Sequence, residues 1–373
     1  MRASRLWLLG LSCCATLGGS GLGDVGLPTS GVGPFRELVA SEVHDAPYVL
    51  DNEAPNYREP AVLPGNPGDA SSAEVVLYAV AAEPAGATGS RDVIVRTHAD
   101  DARSFYGTSL DTGHTPPVVL TASAAWEGAS VGGPSAVQIG GQIFLYYAAK
   151  GGIGLARSPD GVTFAKEPAP VHAPDATVAW ETTTPSAPSV AVYPDGQIRM
   201  LYAAGDSIGE AASDDGLTWH RLDADPTTPA IDPVLTPGPP AAPGTLEDGE
   251  PPPFDTGQVG DPCLAPRTTA DGRIQVRVLY TGFIGTPGTT GRASAIGFAA
   301  RYGDSGPLVR QSGPVFAPGH HEAAPALFEW SGNSMLYVQL DETSTTPPYS
   351  AIAAGFAPAQ DTLAGPGAYP GGP

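Results

Sequence analysis

One phrase recurs along this chain and limits its fold more than any other feature. An acidic residue is followed by a Pro, a short apolar run, a second run ending in Leu-Tyr or Tyr-Tyr, and then Ile-Gly-x-Ala. The second copy holds Trp126-Glu127, Gly133-Pro134-Ser135, Leu145-Tyr146-Tyr147 and Ile153-Gly154-Leu155-Ala156. The third holds Trp180-Glu181, Ala187-Pro188-Ser189, Leu201-Tyr202 and Ile208-Gly209-Glu210-Ala211. The fourth holds Phe254-Asp255, Asp261-Pro262-Cys263, Leu279-Tyr280 and Ile296-Gly297-Phe298-Ala299. Two flanking copies are weaker: Glu59-Pro60, Leu77-Tyr78 and Ile94-Val95-Arg96 at the start, Ala324-Pro325, Leu336-Tyr337 and Ile352-Ala353-Ala354 at the end. Degenerate terminal copies are usual in repeat architectures. Counting seven residues back from Pro60, Pro134, Pro188 and Pro262 reaches Glu53, Glu127, Glu181 and Asp255. The fifth copy breaks this register, because Pro318 stands there.

Each copy spans about 50–75 residues and supplies three or four short β-rich runs, the size of a four-stranded propeller blade. The second and third copies add hairpins at Ser158-Pro159-Asp160-Gly161 and Ser213-Asp214-Asp215-Gly216. Asp-Gly supplies the positive φ that a tight turn needs. Asp100-Asp101 reads as a degenerate copy of that hairpin in the first repeat. The 48 Gly and 41 Pro mostly punctuate the apolar runs, and no helical periodicity of useful length appears. The expected fold is all-β: a five-bladed β-propeller over residues 51–359.

The net charge of −21, with only 18 Lys and Arg, opposes binding to a duplex or to an anionic membrane surface. Nucleic acid is therefore not an expected partner. Arg2 and Arg5 precede the short apolar run Leu6 to Leu11, which reads as an export signal too short to span a bilayer. Leu11-Ser12-Cys13-Cys14 resembles a bacterial lipobox, with Cys13 or Cys14 as the lipidated residue. Residues 1–14 are read as the signal peptide, 15–50 as a flexible tether and lead-in, and 360–373 as a disordered Gly/Pro-rich tail. The expectation is an exported protein, either a lipoprotein of the bacterial cell envelope or secreted, that meets a membrane only through its N-terminal lipid. Cys263 is left alone in the body, so neither an internal disulfide nor a CxxC metal site is available.

Together, Phe254-Asp255-Thr256-Gly257-Gln258-Val259-Gly260-Asp261-Pro262, the Leu-Tyr strands, Ile-Gly-x-Ala and the Asp-Gly-x-Thr-aromatic hairpins resemble the five-bladed propeller glycosidases. These are the arabinanase/β-xylosidase group of glycoside hydrolase family 43 and the related invertase/levansucrase group. The resemblance implies carbohydrate as partner, no cofactor, and a pocket at the propeller axis; a Ca²⁺ ion in the central channel is left open. It also implies a first-blade carboxylate as base or nucleophile, a second-blade Asp that tunes the acid, and a third-blade Glu as general acid. One carboxyl must be protonated and the other ionised on either side of the glycosidic bond.

Carried over by position, Glu59 before Pro60 supplies the first carboxylate, with Glu in place of the usual Asp. Gly133 stands where the tuning Asp belongs, and Ser186-Ala187 where the general acid belongs. Asp261 before Pro262 is intact in the fourth blade, and Glu322 lies beside His320 and His321 in the fifth. Glu59, Asp261 and Glu322 are the candidate catalytic acids. Glu181 is a candidate substrate ligand, although its recurrence in four copies suits a role in the blade equally. Trp126 and Trp180 are placed either on a sugar ring or in packing between blades. No nucleophile elbow, P-loop, dinucleotide fingerprint or HExxH occurs. Two functions remain open: an exported glycosidase, and a surface glycan- or protein-binding propeller that has lost its catalytic acids.

Overall fold

The computed structural model describes residues 35–39, 41–42, 48–50, 56–85, 89–105, 116–240, 253–285, 292–303, 305–311, 313–319, 321–342 and 349–357. The leader with Cys13 and Cys14, Glu53, His320 and the C-terminal tail lie outside the described residues. Among the described residues there is no α-helix, and so none long and apolar enough to cross a membrane.

Among the described residues twenty-two strands form five antiparallel sheets, one per sequence copy. Strands β1 (Arg36–Glu37) and β2 (Tyr48–Leu50) precede the repeats. The first blade is β3 (Arg58–Pro64), β4 (Val75–Ala85), β5 (Gly89–Ala99) and β6 (Val118–Leu120). The second is β7 (Gly132–Ile139), β8 (Gln142–Ala149), β9 (Gly152–Ser158) and β10 (Ala165–Lys166). The third is β11 (Ser186–Val192), β12 (Ile198–Ala204), β13 (Ser207–Ser213) and β14 (His220–Leu222). The fourth is β15 (Gln258–Leu264), β16 (Arg267–Thr268), β17 (Ile274–Phe283), β18 (Ser294–Tyr302) and β19 (Val309–Arg310). The fifth is β20 (Glu322–Trp330), β21 (Asn333–Glu342) and β22 (Tyr349–Ala357).

The fifth blade takes its outer strands from the other end of the chain: β1 and β2 both pair with β22. These strands fall in the segment read as tether and lead-in, so the propeller takes in more chain than residues 51–359. Strands of two and three residues carry no readable alternation, and pairing across the whole chain leaves no local signal.

The innermost strands β3, β7, β11, β15 and β20 contact one another in a closed ring. The apolar core lies between blades rather than at the axis. Five buried clusters fill the five interfaces, for example Leu145, Tyr78 and Ile94 between blades one and two.

The recurring phrase is one packing unit. In blade two, Trp126 stacks on Tyr147 (6.1 Å, 24°), and Glu127 accepts from the Tyr147 hydroxyl (2.6 Å) and from Lys166 of β10 (2.5 Å). In blade three the set is Trp180, Tyr202, Glu181 and Arg221 of β14. In blade four it is Phe254, Tyr280, Asp255 and Arg310 of β19. Each Tyr faces the Gly of Ile-Gly-x-Ala across the sheet (Tyr147↔Gly154, Tyr202↔Gly209, Tyr280↔Gly297). A Cβ on Gly154 would lie 2.4 Å from the Tyr147 ring, so the aromatic pair requires glycine beneath it. The terminal blades place Ala79 opposite Val95 and Val338 opposite Ala353 in the same position. Their copies look degenerate because a large–small pair has been exchanged for two medium side chains.

Candidate functional site

Every inner strand carries a register shift at its X-Pro pair: between Arg58 and Ala61, Gly132 and Ser135, Ser186 and Ser189, Gly260 and Cys263, and Ala323 and Ala326. Pro has no N–H to give to the ladder, so it sits in a bulge. The residue before it takes a left-handed φ in all five blades: 50° at Glu59 and Gly133, 44° at Ala187 and Asp261, 49° at Ala324. Four of these five are not glycine, which costs on the order of 1–3 kcal/mol each. The bulge turns this residue toward the axis. Glu59-Pro60, Gly133-Pro134, Ala187-Pro188, Asp261-Pro262 and Ala324-Pro325 together line a cavity of about 30 Å³, the share of liquid occupied by one water molecule.

Two of the five axial side chains are carboxyls. Glu59 Oε2 accepts from the Gly133 amide of the next blade at 2.5 Å. Thr281 and the Ala324 amide of the next blade stand beside Asp261, and that amide donates to Thr281 Oγ1 at 2.9 Å. Burial pushes the Glu59 carboxyl above its ordinary range; the Gly133 bond opposes this and the charge of Asp261 adds to it. Burial likewise raises Asp261, against the polar Thr281 and Ala324 groups beside it, with Asp341 pushing further up and Arg292 pulling down.

Cations stand at the rim. Arg58 pairs with Asp92 at 2.6 Å. Arg292 donates to Gln258 (2.6 Å), lies 4.4 Å over the Phe283 ring, and buries its Nη1 with no hydrogen-bond partner. The sequence reading missed Arg58, Asp92, Thr281 and Arg292. A signal for Thr281 existed, since the residue after the strand Tyr is Ala148 in blade two and Ala203 in blade three.

The structure brings Glu59 and Asp261 together and leaves the other candidates elsewhere. Glu322 is fully buried at the start of β20, accepts from the Gly319 amide at 2.5 Å, and is not among the residues lining the axial cavity. Its position in other blades is held by Tyr57, Val131 and Val259, all buried. Glu181 is enclosed by Tyr202, both nitrogens of an Arg221 fork and the Asp175 amide. Trp126 and Trp180 stack on tyrosines of their own blades, and Trp180 Nε1 donates to the Ile231 carbonyl (3.0 Å). Cys263 occupies the place of Ser135 and Ser189, which accept from Val190 and Leu264 of the next blade at 2.9 Å, and the Leu327 amide stands beside its sulfur. Burial pushes its thiol up to about 11, away from reactivity. Among the described residues no group of three His, Cys, Asp or Glu side chains is placed to hold a metal ion.

No protein-family model and no curated protein matches the chain. Solved structures do. A glycosyl hydrolase from Bacteroides ovatus aligns with a TM-score of 0.58 at 15% identity, over 83% of this chain and 85% of its own. A structure described under the family 130 mannoside phosphorylases, a family containing glycoside hydrolases that target β-1,2-mannosidic linkages in Candida mannan, aligns at 0.57 and 15%, over 84% and 88%. The Cellvibrio cellulosa α-L-arabinanase complexed with arabinohexaose aligns at 0.50 and 12%, over 81% and 92%. At these identities the likeness is one of fold: the chain carries the five-bladed propeller that these glycoside hydrolases share, the architecture its motifs resemble.

Proposed function

We propose that the protein is a carbohydrate-active enzyme that cleaves a glycosidic bond with Glu59 and Asp261. One observation carries the reading: of five equivalent axial positions, the two that bear side chains long enough to act both bear carboxyls, and both line one cavity. A pair of carboxyls of unlike protonation is what glycoside hydrolysis needs. The water-sized space among them suits a site where the sugar lies over the ring and only the reacting atoms meet the acids. The test is hydrolysis of a panel of aryl glycosides and polysaccharides. Turnover that falls about 10²–10⁴-fold in both Glu59→Gln and Asp261→Asn, with the fold intact by circular dichroism, supports the reading. Turnover that survives both substitutions removes it.

A second reading has its own support. Gly133 and Ala187 stand where the resemblance places acids, and the axial cavity is far smaller than a sugar ring. A glycan-binding propeller without turnover fits those facts, and binding without hydrolysis in the same panel would establish it. For either reading we propose export by the N-terminal segment and lipidation at Cys13 or Cys14. Mass spectrometry of the mature N-terminus from an expressing cell checks this, and an unacylated terminus beyond Cys14 would refute it.

A further inference from the structure

The interface between blades three and four departs from the repeat at three positions that meet in space. Glu210 of β13 stands opposite Leu201, where blade two sets Leu155 opposite Tyr146. Arg301 of β18 pairs with Val276, the place held by Ser158 and Ser213 in blades two and three. Arg199 of β12 takes the place of Phe144 in β8. All three charged residues are buried. Arg301 Nη2 donates to both Glu210 oxygens, at 2.7 and 2.8 Å, and Arg199 Nη1 comes within 3.8 Å of the same carboxylate.

A cavity of about 180 Å³ lies against this cluster. Arg199, Glu210 and Arg301 form its polar wall, Leu222 and Ala224 lie on its apolar side, and the exposed Asp223 stands at its mouth. It shares no lining residue with the axial cavity. Arg199 is four residues along β12 from Ala203, which pairs with Ser186 beside the left-handed Ala187. At about 3.3 Å per residue, that is about 13 Å down the strand from the axial ring. The cavity therefore belongs to the other end of the blade from Glu59 and Asp261.

We propose that this cavity is a second binding site, which takes one neutral sugar ring. Size and chemistry both select for it. A cavity of about 150 Å³ accommodates benzene, so this one holds a single substituted ring and not two. Its wall presents guanidinium donors beside carboxylate acceptors. A small anion placed there meets Glu210 and Asp223, and a small cation meets Arg199 and Arg301. A hydroxyl both donates and accepts, so a ring bearing several of them pairs with groups of either sign, while its C–H face packs on Leu222 and Ala224. The site stands apart from the glycosidase reading, because it uses neither axial carboxyl.

The experiment titrates the full chain with the methyl glycosides of D-mannose, D-xylose, L-arabinose and D-galactose, followed by saturation-transfer NMR and calorimetry. A ligand of one ring makes few contacts, so the expected affinity for the best of the four is millimolar. The double variant Glu210→Leu/Arg301→Ser places blade-two residues at both positions and removes the ion pair as a unit, so that neither partner is left without the other. It weakens binding by about tenfold or more. Ala224→Trp fills the cavity from its apolar side with the charges in place and abolishes binding; it serves equally if the first variant fails to fold. Glu59→Gln/Asp261→Asn leaves the affinity unchanged. No binding by any of the four glycosides at about 50 mM overturns the proposal. So does binding that survives in a folded Ala224→Trp, or that is lost with the axial pair. Binding of sodium acetate or ethylammonium in place of the glycosides, lost in Ala224→Trp, would give the cavity to a charged ligand and overturn the sugar. Glycoside binding that follows the expectation stands whether or not the axial carboxyls hydrolyse any substrate, and hydrolysis without it leaves the glycosidase reading intact and removes this one.

Discussion

Two positions of the repeat recur with one period and behave oppositely. The residue seven before each Pro is acidic in copies one to four, and in blades two to four it contacts a Tyr and a cation of its own blade. The residue immediately before the Pro keeps its backbone, a left-handed φ in every blade, while its side chain runs Glu, Gly, Ala, Asp, Ala. Constant chemistry marks the unit that each blade needs in order to fold. Constant geometry with varied chemistry marks a frame whose side chains are free to differ. Repeat symmetry is thus a filter for function in this molecule: candidates that repeat belong to the blade, and the axial acids are found among those that break the repeat.

The largest expected effect tests that filter directly. Asp261→Asn and Glu59→Gln lower turnover by about 10²–10⁴-fold and leave the melting temperature unchanged or higher, because burial disfavours a charge on either group. Glu127→Gln and Glu181→Gln do the opposite. Glu127 is 1% exposed, and its bonds from the Ala124 and Ser123 amides, Lys166 and Tyr147 overcome burial and hold its carboxyl down at about 2. Removing one partner of such a pair destabilises by about 3–5 kcal/mol, with turnover of the folded fraction retained. Urea unfolding and initial rates on the same four variants decide it; a stable, inactive Glu181→Gln would move Glu181 to the axis in function and break the comparison.

The next effect concerns pH. His172 is buried in the blade-three unit, with its ring 4.4 Å from that of Tyr202. Burial, and then the nearby Arg221 charge, lower it from 6.5 to about 4 against the pull of Glu181. Above pH 6.5 the ring is neutral in both folded and unfolded chains and contributes no pH dependence. As pH falls from 6.5 to 4 the unfolded chain takes up a proton that the folded chain refuses, so stability drops, by on the order of 3 kcal/mol, and the drop ends below about 4. His172→Phe keeps a ring at the site and removes the proton. Its stability should fall less between pH 6.5 and 4, by that amount, in urea titrations across the range. Equal slopes in the two proteins would mean that this ring is protonated when folded.

Much of this was legible beforehand. The X-Pro recurrence located five inner strands, and the acid register aligned them. Glu59 and Asp261 were readable as axial because they precede the repeated Pro. Glu322 was misleading for the same reason: it lies near Pro325, but two residues too early to share the bulge, and so is held in the wall of the blade. Blade closure by Arg36–Glu37 and Tyr48–Leu50 was not readable, since short strands pairing across the chain leave no local pattern. The contact of Thr281 with the Ala324 amide of the next blade became readable only from the structure. The bulges, which decide where these side chains point, are marked in the sequence only by the recurring Pro.

The smallest effect lies in the hairpins, where departure from the repeat has a different consequence. Asp160 accepts from the amides of Val162 and Thr163, Asp215 from those of Leu217 and Thr218, and Asp101 from those of Arg103 and Ser104. The residue after each is left-handed: Gly161 at 72°, Gly216 at 73°, and Ala102 at 59°. Each hairpin is gripped by a tyrosine of the preceding blade, Tyr78 to the Gly161 carbonyl, Tyr146 to Gly216, and Tyr337 to Ala102 across the ring closure. Blades three and four carry Leu201 and Leu279 where those tyrosines stand. Ala102 therefore breaks the repeat at a position that serves architecture, where only the backbone matters. Ala102→Gly should stabilise the protein by about 1 kcal/mol without touching turnover, and the gain should vanish in Tyr337→Phe only to the extent that the hairpin loosens once its carbonyl is released. A neutral or destabilising Ala102→Gly would mean that the methyl group, fully buried here, contributes more by packing at the closure of the ring than its backbone strain costs.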